Sequence, residues 1–366
     1  MQKIIVSVTN DLTTDQRVHK VCSSLVTMNF EVLLVGRKLT DSIPLQRIYN
    51  THRIKLLFNK GALFYAEYNI RLFFYLLFKR KDILLSNDLD TLLANYLVSK
   101  TQNKKLVYDS HELFTEVPEL VNRPKTQKIW LMLEQNILPK LKNTYTVCQS
   151  IADYYNEKYA TNFKVIKNVP VCLKNNDKIL LTEALREKPK TIIYQGALNI
   201  GRGLELMIET VQYLENIQLI IIGDGDITEK LKSLVTQKKL VEKVFFLGKK
   251  TPEELRKITP LADLGISIEE DLGLNYRYAL PNKIFDYIHA SIPILVSDLP
   301  EMKHIVLEYQ VGEIINNRKP KELAKQIESI LRTKKHSWER NLKIAASNLQ
   351  WQKEEEVLHS IFTYLQ

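Results

Sequence analysis

Residues 3–8 read Lys-Ile-Ile-Val-Ser-Val, residues 31–35 read Glu-Val-Leu-Leu-Val, and between them Val18, Val21, Cys22, Leu25 and Val26 share one helical face. The two apolar runs have almost no polar alternation. Such strands are covered on both faces, as in a parallel sheet under helices. Thr14 or Asp15 stands where a helix N-cap belongs. The stretch therefore predicts a strand, a helix and a second strand parallel to the first.

The same pattern continues outward. Ile83–Ser86, Lys105–Asp109 and Tyr145–Cys148 read as further strands. A polar, Lys-rich segment at 174–190 interrupts the series and reads as a linker. A second series follows in Thr191–Tyr194, Gln218–Ile222, Val244–Leu247, Leu264–Ile268 and Pro293–Val296. It includes an amphipathic helix through Leu204, Met207, Ile208, Val211 and Leu214, and a late helix over Pro320–Leu331. The expected class is α/β with two doubly wound, Rossmann-like domains facing each other across a cleft. The first domain covers 1–173 and the second 191–340, with a helical tail at 341–366 in which Val357, Ile361 and Leu365 stack. Ligands of open α/β sheets lie beyond the carboxyl ends of the strands, so chemistry is sought in the strand-to-helix loops.

The chain has 366 residues, 45% of them hydrophobic and 26% charged, which excludes disorder as a whole-chain state. A net charge of +10 favours a polyanionic partner. The basic residues are spread along the chain with no reader motif, so nucleic acid is not expected. Cys22, Cys148 and Cys172 are too scattered for a disulfide framework or a zinc site, and a cytoplasmic home is expected. The N-terminal apolar run is too short for a secretory signal. The most membrane-like stretch, 62–78, is interrupted by Glu67 and Arg71 and is not expected to span a bilayer.

Three loops of the second half suit a phosphorylated ligand. Gln195 through Leu204 contains Gly201-Arg202-Gly203 at the start of a helix, where opening N–H groups and a guanidinium can hold phosphate. Gly223-Asp224-Gly225-Asp226 reads equally well as a tight turn or as a base or ribose contact. Pro281-Asn282-Lys283-Ile284-Phe285-Asp286 opens another helix, on which Lys283 and Asp286 share a face. They would serve a phosphate and a ribose, or simply pair with each other on the surface. In the first half, His111 ends a buried strand and can donate to a substrate hydroxyl or phosphate, or serve structurally. Asp88 and Asp90 end the preceding strand and read most simply as helix N-caps. No H-x-x-x-H pair or G-x-S-x-G elbow occurs, so neither a metal nor a serine nucleophile is expected.

Taken jointly, these motifs resemble bacterial glycosyltransferases of family 4. The first half contributes Asp15-Gln16-Arg17-Val18, Tyr108-Asp109-Ser110-His111-Glu112, Leu133-Glu134-Gln135 and Val147-Cys148-Gln149-Ser150. The second half contributes Gly201-Arg202-Gly203, Gly223-Asp224-Gly225, Pro281 through Tyr287 and Ser291-Ile292-Pro293. The resemblance implies the GT-B architecture and a retaining, metal-free and cofactor-free transfer from a nucleotide-sugar to a glycan or lipid-linked acceptor, in bacterial surface polysaccharide or glycoconjugate biosynthesis. His111, Arg202 and Lys283 would be catalytic, and Gly201, Gly203, Gly223, Asn282 and Asp286 would hold the donor. The first acid of the family's paired motif falls at Tyr278, leaving open whether Glu269 or Glu270 stands in for it. A sugar-nucleotide epimerase of the same architecture and a non-catalytic binding subunit are the competing readings.

The aromatic and basic stretch Phe64-Tyr65, Tyr68, Arg71 through Tyr75 and Lys79-Arg80-Lys81 suits an anionic membrane surface, which would place the enzyme peripherally at the inner face of the cell membrane. A core helix with a solvated basic end is the alternative.

Overall fold

Ile4, Ile5 and Val6 are each at most 1% exposed, which is the two-sided coverage that their unbroken apolarity calls for. The computed structural model describes residues 1–13, 15–172, 189–333 and 336–365. Of the expected linker, residues 174–188 lie outside the described residues. The chain forms two units, Met1–Asn168 with Trp351–Gln366, and Val169–Gln350.

The first unit holds β1 (Lys3–Ser7), β2 (Glu31–Lys38), β3 (Asn50–Lys55), β4 (Ile83–Asn87), β5 (Lys105–Ser110), β6 (Asn143–Thr146) and β7 (Lys164–Val165). They form one sheet in the order β3-β2-β1-β4-β5-β6-β7 with parallel neighbours throughout. Strand order reverses between β1 and β4, which opens a crevice at their carboxyl ends. Asp15 caps the helix Gln16–Thr27, its carboxylate accepting from Val18 N–H at 3.0 Å. In this sheet the unexpected strands are the two edges. β3, Asn-Thr-His-Arg-Ile-Lys, is mostly exposed, and β7 has two residues, so neither carries a buried apolar run.

The second unit holds β8 (Lys190–Gln195), β9 (Ile217–Ile222), β10 (Val244–Phe246), β11 (Leu264–Ser267), β12 (Ile294–Val296) and β13 (Gly312–Ile314). The order is β10-β9-β8-β11-β12-β13, again parallel throughout, with its reversal between β8 and β11.

The stretch expected as one helical tail, 341–366, divides between the units. The helix His336–Asn348 places Leu342 and Ala345 in a core with Ile284, Ile288 and Met302. The helix Trp351–Thr363 places Trp351, Leu358 and Phe362 among Ile4, Val18 and Leu25 of the first unit. There the Trp351 indole N–H donates to Ser24 Oγ at 2.9 Å, and Glu354 accepts from Lys167 N–H at 2.7 Å. Periodicity shows that a helix is amphipathic; it does not say which core receives it. Among the described residues no helix is long and apolar enough to cross a membrane.

Candidate active site

In the first unit the carboxyl ends of β4 and β5 converge on His111. Asp88, the residue after β4, has φ 56° and ψ 168°, a conformation sparsely populated by non-glycine residues. Its N–H donates to the Asp109 carbonyl at 2.8 Å, holding the turn. Asp88 sits at the N-cap position of the helix Leu89–Gln102, yet its side chain caps nothing. Its carboxylate accepts from His111 N–H at 2.8 Å and lies 3.2 Å from His111 Nδ1. Asp90 is not a cap either; it accepts from Thr9 Oγ1 at 2.6 Å.

The other ring nitrogen, His111 Nε2, lies 3.2 Å from both Asp109 Oδ2 and Asn87 Oδ1. Asp109 in turn receives a two-point bond from Arg17, at 2.8 and 3.0 Å, both side chains being almost wholly buried. Arg17 also donates to the Ile166 carbonyl at 2.7 Å. Burial pulls the His111 imidazole down, but the Asp88 and Asp109 carboxylates outweigh it and carry its pKa up to about 10. Burial likewise works against Asp109, where Arg17 and His111 prevail and hold its carboxyl below the usual range. Burial, with Asp88 nearby, pushes Asp90 up to about 7. His111 is therefore an imidazolium at neutral pH. Since both ring N–H groups face protein acceptors, what it offers an approaching anion in this state is charge.

In the second unit two cations meet one carboxylate. Lys283, near the start of the helix Asn282–His289, places Nζ 2.8 Å from Glu269 Oε1. Arg202 Nη1 lies 3.8 Å from the same oxygen. Glu269 is fully buried and accepts a further bond from Ser267 Oγ at 2.8 Å. Burial opposes both charges of the close pair. The Lys283 and Arg202 charges nevertheless hold the Glu269 carboxyl low, and Glu269 holds the Lys283 ammonium high. Lys283 Nζ lies 4.2 Å from the centre of the Tyr194 ring, and the Arg202 guanidinium 5.2 Å from that of Tyr276. Arg202 Nε is buried and has no hydrogen-bond partner among the described residues. Glu269 is thus the acid whose side chain joins the cations.

The glycine loops bring this cluster together. Gly203 precedes the helix Leu204–Val211 with φ 72°, and a Cβ there would lie 2.2 Å from the Ile268 carbonyl oxygen. Gly201 is also left-handed, with φ 80°. A Cβ on Gly223 would lie 1.8 Å from the Gly196 carbonyl oxygen, so the β9 turn packs directly on the loop after β8. The turn itself is tight: Asp224 Oδ1 accepts from Gly225 N–H at 2.9 Å and from Thr228 Oγ1 at 2.8 Å. Asn282 is the first residue of its helix, preceded by Pro281. Asp286 accepts from Gln195 Nε2 at 2.8 Å, and Gln195 Oε1 accepts from Thr259 Oγ1 at 2.8 Å. Arg202, Lys283, Asp286 and the three glycines therefore gather at the carboxyl ends of β8, β9 and β11, while His111 belongs to the first unit.

Three contributors had no role in the sequence reading. Arg17 lies inside a quoted motif, but its partner Asp109 is 92 residues away. Arg318 donates to the Ile268 and Glu269 carbonyls at 2.8 and 3.2 Å, and Ser297 Oγ donates to the latter at 2.5 Å. Together they fix the loop that carries Glu269. Their only sequence signal is a polar residue after an apolar run.

Residues 176–347 match the model of the family described as glycosyl transferases group 1. An uncharacterized glycosyltransferase of Methanocaldococcus jannaschii is 25% identical over 152 residues, 40% of this chain and 37% of that protein. The match spans only 33–37% of the length of the curated relatives. Sucrose-phosphate synthase of Thermosynechococcus elongatus superposes with a TM-score of 0.80 at 15% identity, covering 100% of this chain and 99% of that one. Anabaena HepE in complex with UDP-glucose superposes with a TM-score of 0.73 at 13% identity, covering 100% of both chains. At such identities the likeness speaks for the fold, two Rossmann-like domains of GT-B type. Residues 176–347 are therefore similar to the glycosyl transferases group 1 domain, in a chain of GT-B fold.

Proposed function

We propose that the protein transfers a sugar, with retention and without a metal or other cofactor, from a nucleotide-sugar to a glycan or lipid-linked acceptor in bacterial surface polysaccharide or glycoconjugate biosynthesis, on the cytoplasmic side of the cell membrane. The observation that carries this reading is the convergence of Arg202 and Lys283 on one buried carboxylate, with Arg202 Nε lacking an acceptor among the described residues. Two cations against one anion leave a positive excess beside the open N-terminus of the Leu204–Val211 helix, which suits a diphosphate. A class of donor is suggested by HepE, a structural neighbour that holds UDP-glucose.

In this reading Arg202 and Lys283 turn from Glu269 toward the donor diphosphate and stabilise the charge that grows as the bond between the sugar and the phosphate oxygen breaks. Asp286 holds ribose hydroxyls beside Gln195, and the glycine loops admit the backbone close to the phosphates. The acceptor hydroxyl forms the new glycosidic bond on the face that the diphosphate leaves, and its proton passes to a β-phosphate oxygen. His111 is the candidate catalytic residue of the first unit, where it carries a positive charge.

A thermal-shift panel of UDP-, GDP-, ADP- and CMP-sugars identifies the donor, and nucleoside diphosphate release in the presence of acceptor then tests transfer. An epimerised donor without release would instead identify an isomerase, and binding without turnover a non-catalytic subunit.

A further inference from the structure

The helix Gly61–Phe78 has two apolar faces, and the described residues cover only one of them. Phe64, Tyr68, Leu72 and Leu76, four residues apart, point into the first unit and are at most 5% exposed. This assigns part of the aromatic stretch to the core. The opposite stripe does the reverse: Leu63, Ile70, Phe74 and Phe78 are 60%, 59%, 53% and 81% exposed. The preceding turn extends it with Leu57 and Phe58, 78% and 45% exposed. Glu67 holds that turn, its carboxylate accepting from Leu57 and Phe58 N–H groups, each at 2.9 Å, and from Arg71 Nε at 2.7 Å. The apolar tip is thus anchored outward by a carboxylate whose charge is already spent.

Ile70, Phe74 and Phe78 line a shallow groove beside β3, together with Lys55, Arg71 and Lys79, and among the described residues no Asp or Glu lines it. Lys79 and Arg80 are exposed at the helix end. Lys81 is not part of this rim, being buried with its ammonium on the Leu76 and Lys79 carbonyls at 2.5 and 3.0 Å.

We propose that this face docks on an anionic lipid bilayer, with the helix lying in the plane of the surface. Its 18 residues span ~27 Å, long enough to present the whole stripe at the boundary between headgroups and acyl chains. The exposed apolar side chains enter that boundary, and Lys55, Lys79 and Arg80 meet headgroup phosphates. A second copy of the chain is the poorer occupant, since a two-fold contact would set this cationic rim against itself.

The test is vesicle co-sedimentation without donor, using phosphatidylcholine with and without phosphatidylglycerol. Sedimentation only with the anionic vesicles, weakened by salt and lowered ~10-fold or more in the double variant Phe74→Ser/Phe78→Ser, is expected. Both side chains lie outside the core and the candidate active site, so the variant should keep the wild-type melting temperature and any turnover of a soluble acceptor. Equal binding to neutral vesicles, or a double variant that binds as wild type does, overturns the proposal. So does a concentration-dependent dimer that the same variant dissolves. Because no donor is present, either result leaves the transfer reading to its own test.

Discussion

Replacing Lys283 with Met keeps the aliphatic stem but removes one of two cations from a carboxylate that is fully buried. At an effective dielectric of ~20, a charge at 2.8 Å attracts Glu269 by about 6 kcal/mol and one at 3.8 Å by about 4 kcal/mol. Arg202 therefore retains a large part of the attraction, and Ser267 still donates. The stability cost should lie at the low end for a broken buried pair, about 3 kcal/mol. The double variant Lys283→Met/Glu269→Gln removes both charges and should return to within about 1–2 kcal/mol of wild type in urea melts. Turnover should follow a different course. If Lys283 stabilises the leaving diphosphate, nucleoside diphosphate release falls ~100-fold or more in the single variant, equivalent to about 2.7 kcal/mol of barrier, and stays down in the double. Release that recovers along with stability would reduce Lys283 to a structural partner of Glu269 and refute the reasoning.

Arg202→Ala should also lower turnover ~100-fold or more with little change in melting temperature, because its guanidinium is partly exposed and Lys283 still neutralises Glu269; wild-type rates would remove it from the site. Since the His111 pKa is raised to about 10, its contribution to stability is fully present below the ordinary histidine value and is lost as pH climbs toward 10. The stability gap between wild type and His111→Gln should therefore shrink from a few kcal/mol over that window, and a gap that stays constant would contradict the imidazolium assignment. Gly203→Ala forces a Cβ to 2.2 Å from the Ile268 carbonyl at φ 72°, and should cost ~2 kcal/mol or more in thermal or urea melts. An unchanged midpoint would mean that the loop relaxes freely.

Much of the candidate site was legible because its parts are local. Gly201-Arg202-Gly203 and Pro281 through Asp286 each combine a strand end, a turn and a helix start within about ten residues, and such chemistry follows from sequence spacing. The role of Glu269 was not legible. Its side chain could be assigned only once β11 was set beside β8 and the Asn282–His289 helix laid over them. Asp88 illustrates the same limit from the other side. By position it is an N-cap, but the register of β4 against β5 offers its carboxylate the His111 amide and ring instead.

The sequence by itself determined the α/β class, the two series of parallel strands and the loops that carry cations, because continuous apolarity and helical periodicity are properties of neighbouring residues. Only the tertiary structure decided that β3 and β7 close the first sheet, that the last helix joins the first unit, and that Arg17 serves Asp109 across 92 residues. It also separated the core face of Gly61–Phe78 from the exposed one. These depend on which surfaces meet, and a buried charge or an apolar face acquires its meaning from a partner that chain order does not name.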